Sequence, residues 1–105
     1  MYKDVIWEKG GRALLVNLSG EIDHHTAKTF RAKIDTALFE GRPELLTLDF
    51  SRVKFMDSSG IGLIIGRSEI CETIGCRIEI SGLSGTMKKV VMLSGIRKLK
   101  NITVV

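Results

Sequence analysis

Two segments of this chain alternate between apolar and polar residues at the period of a strand, and they restrict the fold more than any other feature. In Arg77 to Ser81, Ile78 and Ile80 share one face while Arg77 and Glu79 share the other. In Arg12 to Ser19, Leu14, Val16 and Leu18 alternate with Ala13, Leu15 and Asn17. Successive side chains of a strand point to opposite faces, so such segments bury one face and leave the other more open. A sheet covered on both faces would carry mostly continuous apolar strands.

The intervening pattern is helical. Ala27, Phe30, Ile34, Ala37 and Leu38 form one apolar stripe, with Asp23 or Thr26 as its cap, Gly41 just past its end and Pro43 blocking continuation. Leu45 to Phe50 is a compact apolar run that reads as a central strand. A second helix is expected from about Ser59 to Ile74, stopped by Gly75, with Ile61, Ile64, Ile65, Ser68 and Cys71 on one face. Arg67 and Glu69 then read as its solvated side. Ser84 or Thr86 starts a third helix containing Met87, Val90, Val91 and Leu93, closed by Ser94-Gly95. Val5 to Glu8 reads as a first strand that turns at Gly10-Gly11, carrying Trp7 as a partly buried packing residue. Arg12 to Ser19 ends at Gly20, and Ile102 to Val105 is a last strand. The order is β-β-α-β-α-β-α-β. Strand–helix–strand units are joined by right-handed crossovers, so the later sheet is parallel. The expectation is a single α/β domain over residues 1–105. Its mixed sheet starts with an N-terminal hairpin and carries the helices mainly on one face.

The chain presents one chemically unusual stretch, Phe55-Met56-Asp57-Ser58-Ser59-Gly60-Ile61-Gly62. Asp and Ser oxygens accept from the first free N–H groups of a helix. A helix start also favours anions. Ser58 therefore lies at or beside a helix N-terminus, where it either caps a core helix or offers a hydroxyl whose phosphate would be well received. Gly62 and Gly66 lie on one side of that helix, and each costs up to ~1 kcal/mol relative to alanine. Close approach by another backbone or by a partner would offset that cost.

The residues argue against several chemistries. The glycines from Gly60 to Gly66 miss the dinucleotide fingerprint, which needs its third glycine at Ile65 and a tight turn directly after a strand. No Gly-Lys-Ser or Gly-Lys-Thr follows a glycine loop. His24 and His25 are neighbours with no second ligand cluster, which argues against a metal site. A serine hydrolase needs a converging histidine and carboxylate, and no Gly-x-Ser-x-Gly elbow surrounds Ser58. The net charge of +4 is spread along the chain without aromatic–basic interleaving, against nucleic-acid binding. No apolar run approaches the ~20 residues of a membrane span, and the first residues lack a signal core. Cys71 and Cys76 fit no common metal or redox motif, and a reducing cytoplasm suits them as free thiols.

Two separated motifs carry a resemblance. Gly20-Glu21-Ile22-Asp23-His24-His25-Thr26-Ala27 and Phe55-Met56-Asp57-Ser58-Ser59-Gly60-Ile61-Gly62 resemble the anti-sigma factor antagonists of the STAS domain family, and Gly66-Arg67 and Leu93-Ser94-Gly95-Ile96 extend the likeness. The resemblance covers nearly the whole chain and implies the fold read above. It also implies that Ser58 is phosphorylated by a partner that is both anti-sigma factor and serine kinase. The unphosphorylated antagonist binds that kinase and displaces a sigma factor. Phosphorylation inactivates it, and a serine phosphatase restores it. With Ser58 as the acceptor the resemblance implies, the expected partner-binding set around it and on the neighbouring loop is Asp23, His24, Met56, Asp57, Ser58, Ser59, Gly60 and Gly62. The kinase supplies ATP or ADP and magnesium, so no cofactor is expected on this chain, nor any nucleic acid or membrane partner. Members of the family often continue into a C-terminal helix, whereas this sequence stops at Val105. The alternative is a STAS interaction module of another regulatory complex, such as a stress-response scaffold.

Overall fold

The computed structural model describes residues 4–105, so the first three residues of the expected domain lie outside the description. Five strands form one sheet in the order β1-β2-β3-β4-β5, with β1 (Val5–Glu8), β2 (Ala13–Ile22), β3 (Leu45–Met56), β4 (Arg77–Ser81) and β5 (Ile102–Val104). β1 and β2 form an antiparallel hairpin, and every later pair is parallel. The crossovers hold helices α1 (His24–Gly41), α2 (Ser58–Ile74) and α3 (Gly85–Leu93).

Alternation decides which sheet face is buried. Leu14, Val16 and Leu18 of β2 pack beside Leu46, Leu48 and Phe50 of β3, then Ile78 and Ile80 of β4. Phe30, Ile34 and Leu38 of α1, Leu63, Ile64 and Cys71 of α2, and Met87 and Val91 of α3 join the same core. Leu15, Asn17, Thr47, Asp49 and Glu79, at the intervening positions, are only half-buried. The helices thus complete one face, as the alternation requires.

Both strands leading to the distinctive loops run longer than expected. β2 does not stop at Gly20 but continues to Ile22, and β3 does not stop at Phe50 but reaches Met56. Gly20 lies inside the strand at φ +75°, where two register shifts interrupt the β2–β3 ladder. A bulge of this kind needs the left-handed backbone that glycine adopts without strain. The ladder resumes and ends with Ile22 opposite Met56.

The helix ends differ in detail. Gly41 is the last residue of α1 rather than the residue beyond it, and Arg42 takes the left-handed cap position at φ 44°. Gly41 serves packing instead: a Cβ there would lie 2.0 Å from Cη2 of Trp7. Trp7 is the partly buried packing residue expected, its indole lying over this glycine with the outer side exposed. The buried face of α2 is also rotated from the expected one. Gly60, Leu63, Ile64, Arg67, Ser68 and Cys71 are buried, whereas Ile65 is exposed. Arg67 is therefore no solvated residue, and the reason is its acidic neighbour Asp35 on α1. On α3, Met87 and Val91 are the core residues, while Val90 and Leu93 face outward. The last strand ends at Val104.

Candidate functional site

The paired ends of β2 and β3 bring two helix starts to one corner. The backbone N–H of Asp57 donates to the carbonyl of Ile22 at 3.2 Å, so Asp23 and Asp57 each follow a strand end at the same edge of the sheet. Each aspartate caps the helix that follows it. Asp23 Oδ1 accepts from the N–H groups of His25 at 2.9 Å and Thr26 at 3.0 Å, and the Thr26 hydroxyl accepts from the Asp23 N–H at 2.9 Å. This reciprocal pair is a capping box with threonine as its second member. The Thr26 N–H above all holds the Asp23 carboxyl below its ordinary pKa, because it bonds the ionised form.

Asp57 Oδ1 accepts from the Ser59 N–H at 2.7 Å, and the Asp57 carbonyl accepts from Gly60 at 3.0 Å. Asp57, not Ser58, is thus the cap of α2. Ser58 is the first helical residue and is exposed. Its hydroxyl is not consumed by capping, which leaves it free for chemistry.

The glycines of this stretch have different roles. At Gly60 a Cβ would lie 2.2 Å from Cγ and Sδ of the buried Met56. Gly60 therefore lets the first turn of α2 sit down on Met56, and both residues lie beneath the surface rather than on it. At Gly62 and Gly66 a Cβ would meet nothing within 4 Å. Among the described residues, no contact explains these two glycines.

Gly62 lines a cleft of about 260 Å³ between α1 and α2, together with His24, Lys28, Arg31, Ser59 and Arg67. The structure thus brings three of the expected residues, His24, Ser59 and Gly62, to one concavity beside the Ser58 surface. Arg67 Nε lies 2.8 Å from Asp35 Oδ1, an ion pair off line for a hydrogen bond. Burial pushes the Asp35 carboxyl up, opposed by the Arg67 charge, and the same burial pulls the guanidinium down. Sequence reasoning missed Lys28, Arg31 and Arg67. His24, Lys28 and Arg31 do recur at the spacing of one helix face, which was the available signal.

Other chemistries find little support in the geometry. Among the described residues, no group of three or more His, Cys, Asp or Glu could hold a metal ion. The two cysteines are buried and unbridged. No helix among the described residues is long and apolar enough to cross a membrane.

Comparison with known proteins matches this geometry to a family. Residues 5–103 match the STAS domain. The anti-sigma F factor antagonist of Lysinibacillus sphaericus is 39% identical over 83 residues, covering 79% of this chain and 71% of that protein. The anti-sigma factor antagonist SpoIIAA in its unphosphorylated form superposes with a TM-score of 0.78 at 35% identity, over 96% of this chain and 87% of that one. The Bacillus cell fate determinant SpoIIAA in its phosphorylated form gives 0.72 at 35% identity, over 96% and 90%. This chain belongs to the STAS domain family and, within it, to the anti-sigma factor antagonists, which are regulatory proteins rather than enzymes.

Proposed function

We propose that this protein, in the cytoplasm and unphosphorylated, binds an anti-sigma factor that is also a serine kinase and so releases a sigma factor. Phosphorylation of Ser58 by the bound kinase ends the interaction, and a serine phosphatase reverses it. The observation that carries the reading is the placement of Ser58. It is the exposed first residue of α2, its cap duty is taken by Asp57, and the Asp23–His24 loop is joined to it through the Asp57–Ile22 hydrogen bond. A kinase can therefore reach the hydroxyl without unfolding the helix. His24, Ser58, Ser59 and Gly62 form the contact surface, Asp23 and Asp57 fix the two helix starts, and Met56 and Gly60 support them from beneath. The names of the relatives at 39% and 34% identity favour sigma F as the factor released. ATP or ADP belongs to the kinase in this scheme.

Incubation with the candidate kinase and ATP, followed by mass spectrometry of the digested protein, tests the assignment. The expected product carries one phosphate on Ser58. Modification of Ser59 or of another residue would move the acceptor and overturn it.

A further inference from the structure

The α1–α2 cleft gathers more positive charge than the chain itself neutralises. His24, Lys28 and Arg31 line it from α1, and Arg67 lines it from α2. Among the described residues neither Lys28 nor Arg31 forms an ion pair, while Arg67 has Asp35 alone. Arg67 is 5% exposed, yet its Nη1 is buried without a hydrogen-bond partner. An unmatched buried charged donor is costly, and a negative charge brought into the adjoining cleft would offset part of that cost. Arg31 adds to the strain, since its charge opposes that of Arg67. Among the described residues, no carboxylate lines the cleft.

Gly62 supplies the space. It lies on the cleft wall, and a Cβ there would meet nothing within 4 Å. A mid-helix glycine that no internal contact requires is explained if the space beside it is occupied in a complex.

We infer that the cleft is an anion pocket that receives a carboxylate side chain of the anti-sigma factor, anchoring it beside Ser58. The inference rests on the proposed function above. Guanidinium groups bond carboxylates through paired N–H donors, and the exposed Arg31 offers such a pair on the cleft wall, with the buried charge of Arg67 behind it. A carboxylate brings one negative charge. It is also the anion that a protein partner carries on its own side chains, so it is the group the proposed complex would bring to the cleft.

Calorimetric titration of the unphosphorylated protein with the anti-sigma factor, at several salt concentrations, provides the test. Arg31 is exposed, so Arg31→Gln leaves the fold intact and is expected to weaken binding about tenfold and flatten its salt dependence. Arg31→Glu should weaken it further, and a lysine placed at one acidic position of the anti-sigma factor should restore it. In the free protein, acetate should shift the side-chain N–H resonances of Arg31 and Arg67. Wild-type affinity in Arg31→Gln while Ser58→Glu abolishes binding would overturn the pocket and leave the proposed function standing. Wild-type affinity in both variants would remove both. Resonances moved by inorganic phosphate but not by acetate, with no lysine restoring Arg31→Glu, would replace the carboxylate with a phosphoryl group and overturn the inference.

Discussion

The backbone N–H of Asp57 donates to the carbonyl of Ile22, tying the start of α2 to the end of β2. Two segments far apart in sequence thereby form one corner, with Asp23 capping α1 and Asp57 capping α2. The caps fall to residues other than the proposed phosphoacceptor. The aspartates hold the helix starts, and the hydroxyl of Ser58 is left unburdened.

That division predicts unequal effects at adjacent positions. Ser58→Ala should change stability by no more than about 0.5 kcal/mol, as at other exposed surface sites, and should abolish phosphorylation while preserving kinase binding. Asp57→Ala removes the acceptor of the Ser59 N–H and should cost about 1 kcal/mol. Urea denaturation of the two variants checks the contrast. A larger loss in Ser58→Ala than in Asp57→Ala would return the capping role to the serine.

Gly60 and Met56 should behave as a coupled pair. Gly60→Ala drives a methyl group into the Met56 side chain and should cost about 1–3 kcal/mol, the usual range for overpacking. In Met56→Ala the obstacle is gone, so adding Gly60→Ala should then cost much less. A double-mutant cycle measures the difference, and simple additivity would show that the contact is not the reason for the glycine.

Gly62 should show the opposite sign. Space is open around it, and leucine has the better helix propensity, so Gly62→Leu should stabilise the protein by up to about 1 kcal/mol. The same side chain fills the α1–α2 cleft, so affinity for the anti-sigma factor should fall. A variant that is more stable and binds unchanged would deny the glycine any part in the interface.

Acid should weaken the fold in part through Asp49. Hydrogen bonds from Ser51, through its side chain and its N–H, hold the Asp49 carboxyl below its ordinary value of 3.8. A depressed folded-state pKa means that the stabilisation is fully present above the unfolded value and is lost as pH falls through the folded one. The stability difference between wild type and Asp49→Asn should therefore be constant near neutrality and shrink as pH falls below 3.8. Denaturation midpoints across acid pH give the curve. A difference that grew toward acid would reverse the assignment.

The sequence made the fold legible through residues whose reasons are local. Ile78 and Ile80 alternate because one sheet face is open, and Asp23 precedes α1 because its start needs acceptors. Residues with distant reasons were not legible. Gly41 was read as a helix stop because glycine suits that role, whereas its neighbour Trp7 comes from another strand. Arg67 was read as solvated because arginine usually is, and only the packing of α1 beside α2 buries it against Asp35. Gly20 looked like a strand end, since a bulge depends on the partner strand's register. At the candidate site the resemblance singled out Ser58. The cationic lining of the neighbouring cleft exists only once Lys28 and Arg31 face α2.

The switch itself should be local and electrostatic. A phosphate on Ser58 adds about −1.5 to −2 charges and three acceptor oxygens. At an unencumbered helix start it would find free N–H donors. Here the Ser59 N–H is held by the Asp57 carboxylate, and the Gly60 N–H by the Asp57 carbonyl. The phosphate therefore gains little from the helix and adds its charge next to the carboxylate of Asp57. Rearrangement of the fold is not required, and the chain's likeness to SpoIIAA in both its unphosphorylated and phosphorylated forms agrees with that. In the proposed complex the effect would be felt where the surface meets the kinase. Like charges forced together in a desolvated interface cost several kcal/mol, enough to release a kinase that still holds nucleotide phosphates. Amide spectra of the two forms should differ only around the Asp23–His24 loop and the first turns of α2, while the affinity for kinase with ADP drops by at least about a hundredfold, or nearly 3 kcal/mol. Shifts spread across β4 and α3 would replace the local mechanism with an allosteric one, and equal affinities for the two forms would remove the switch.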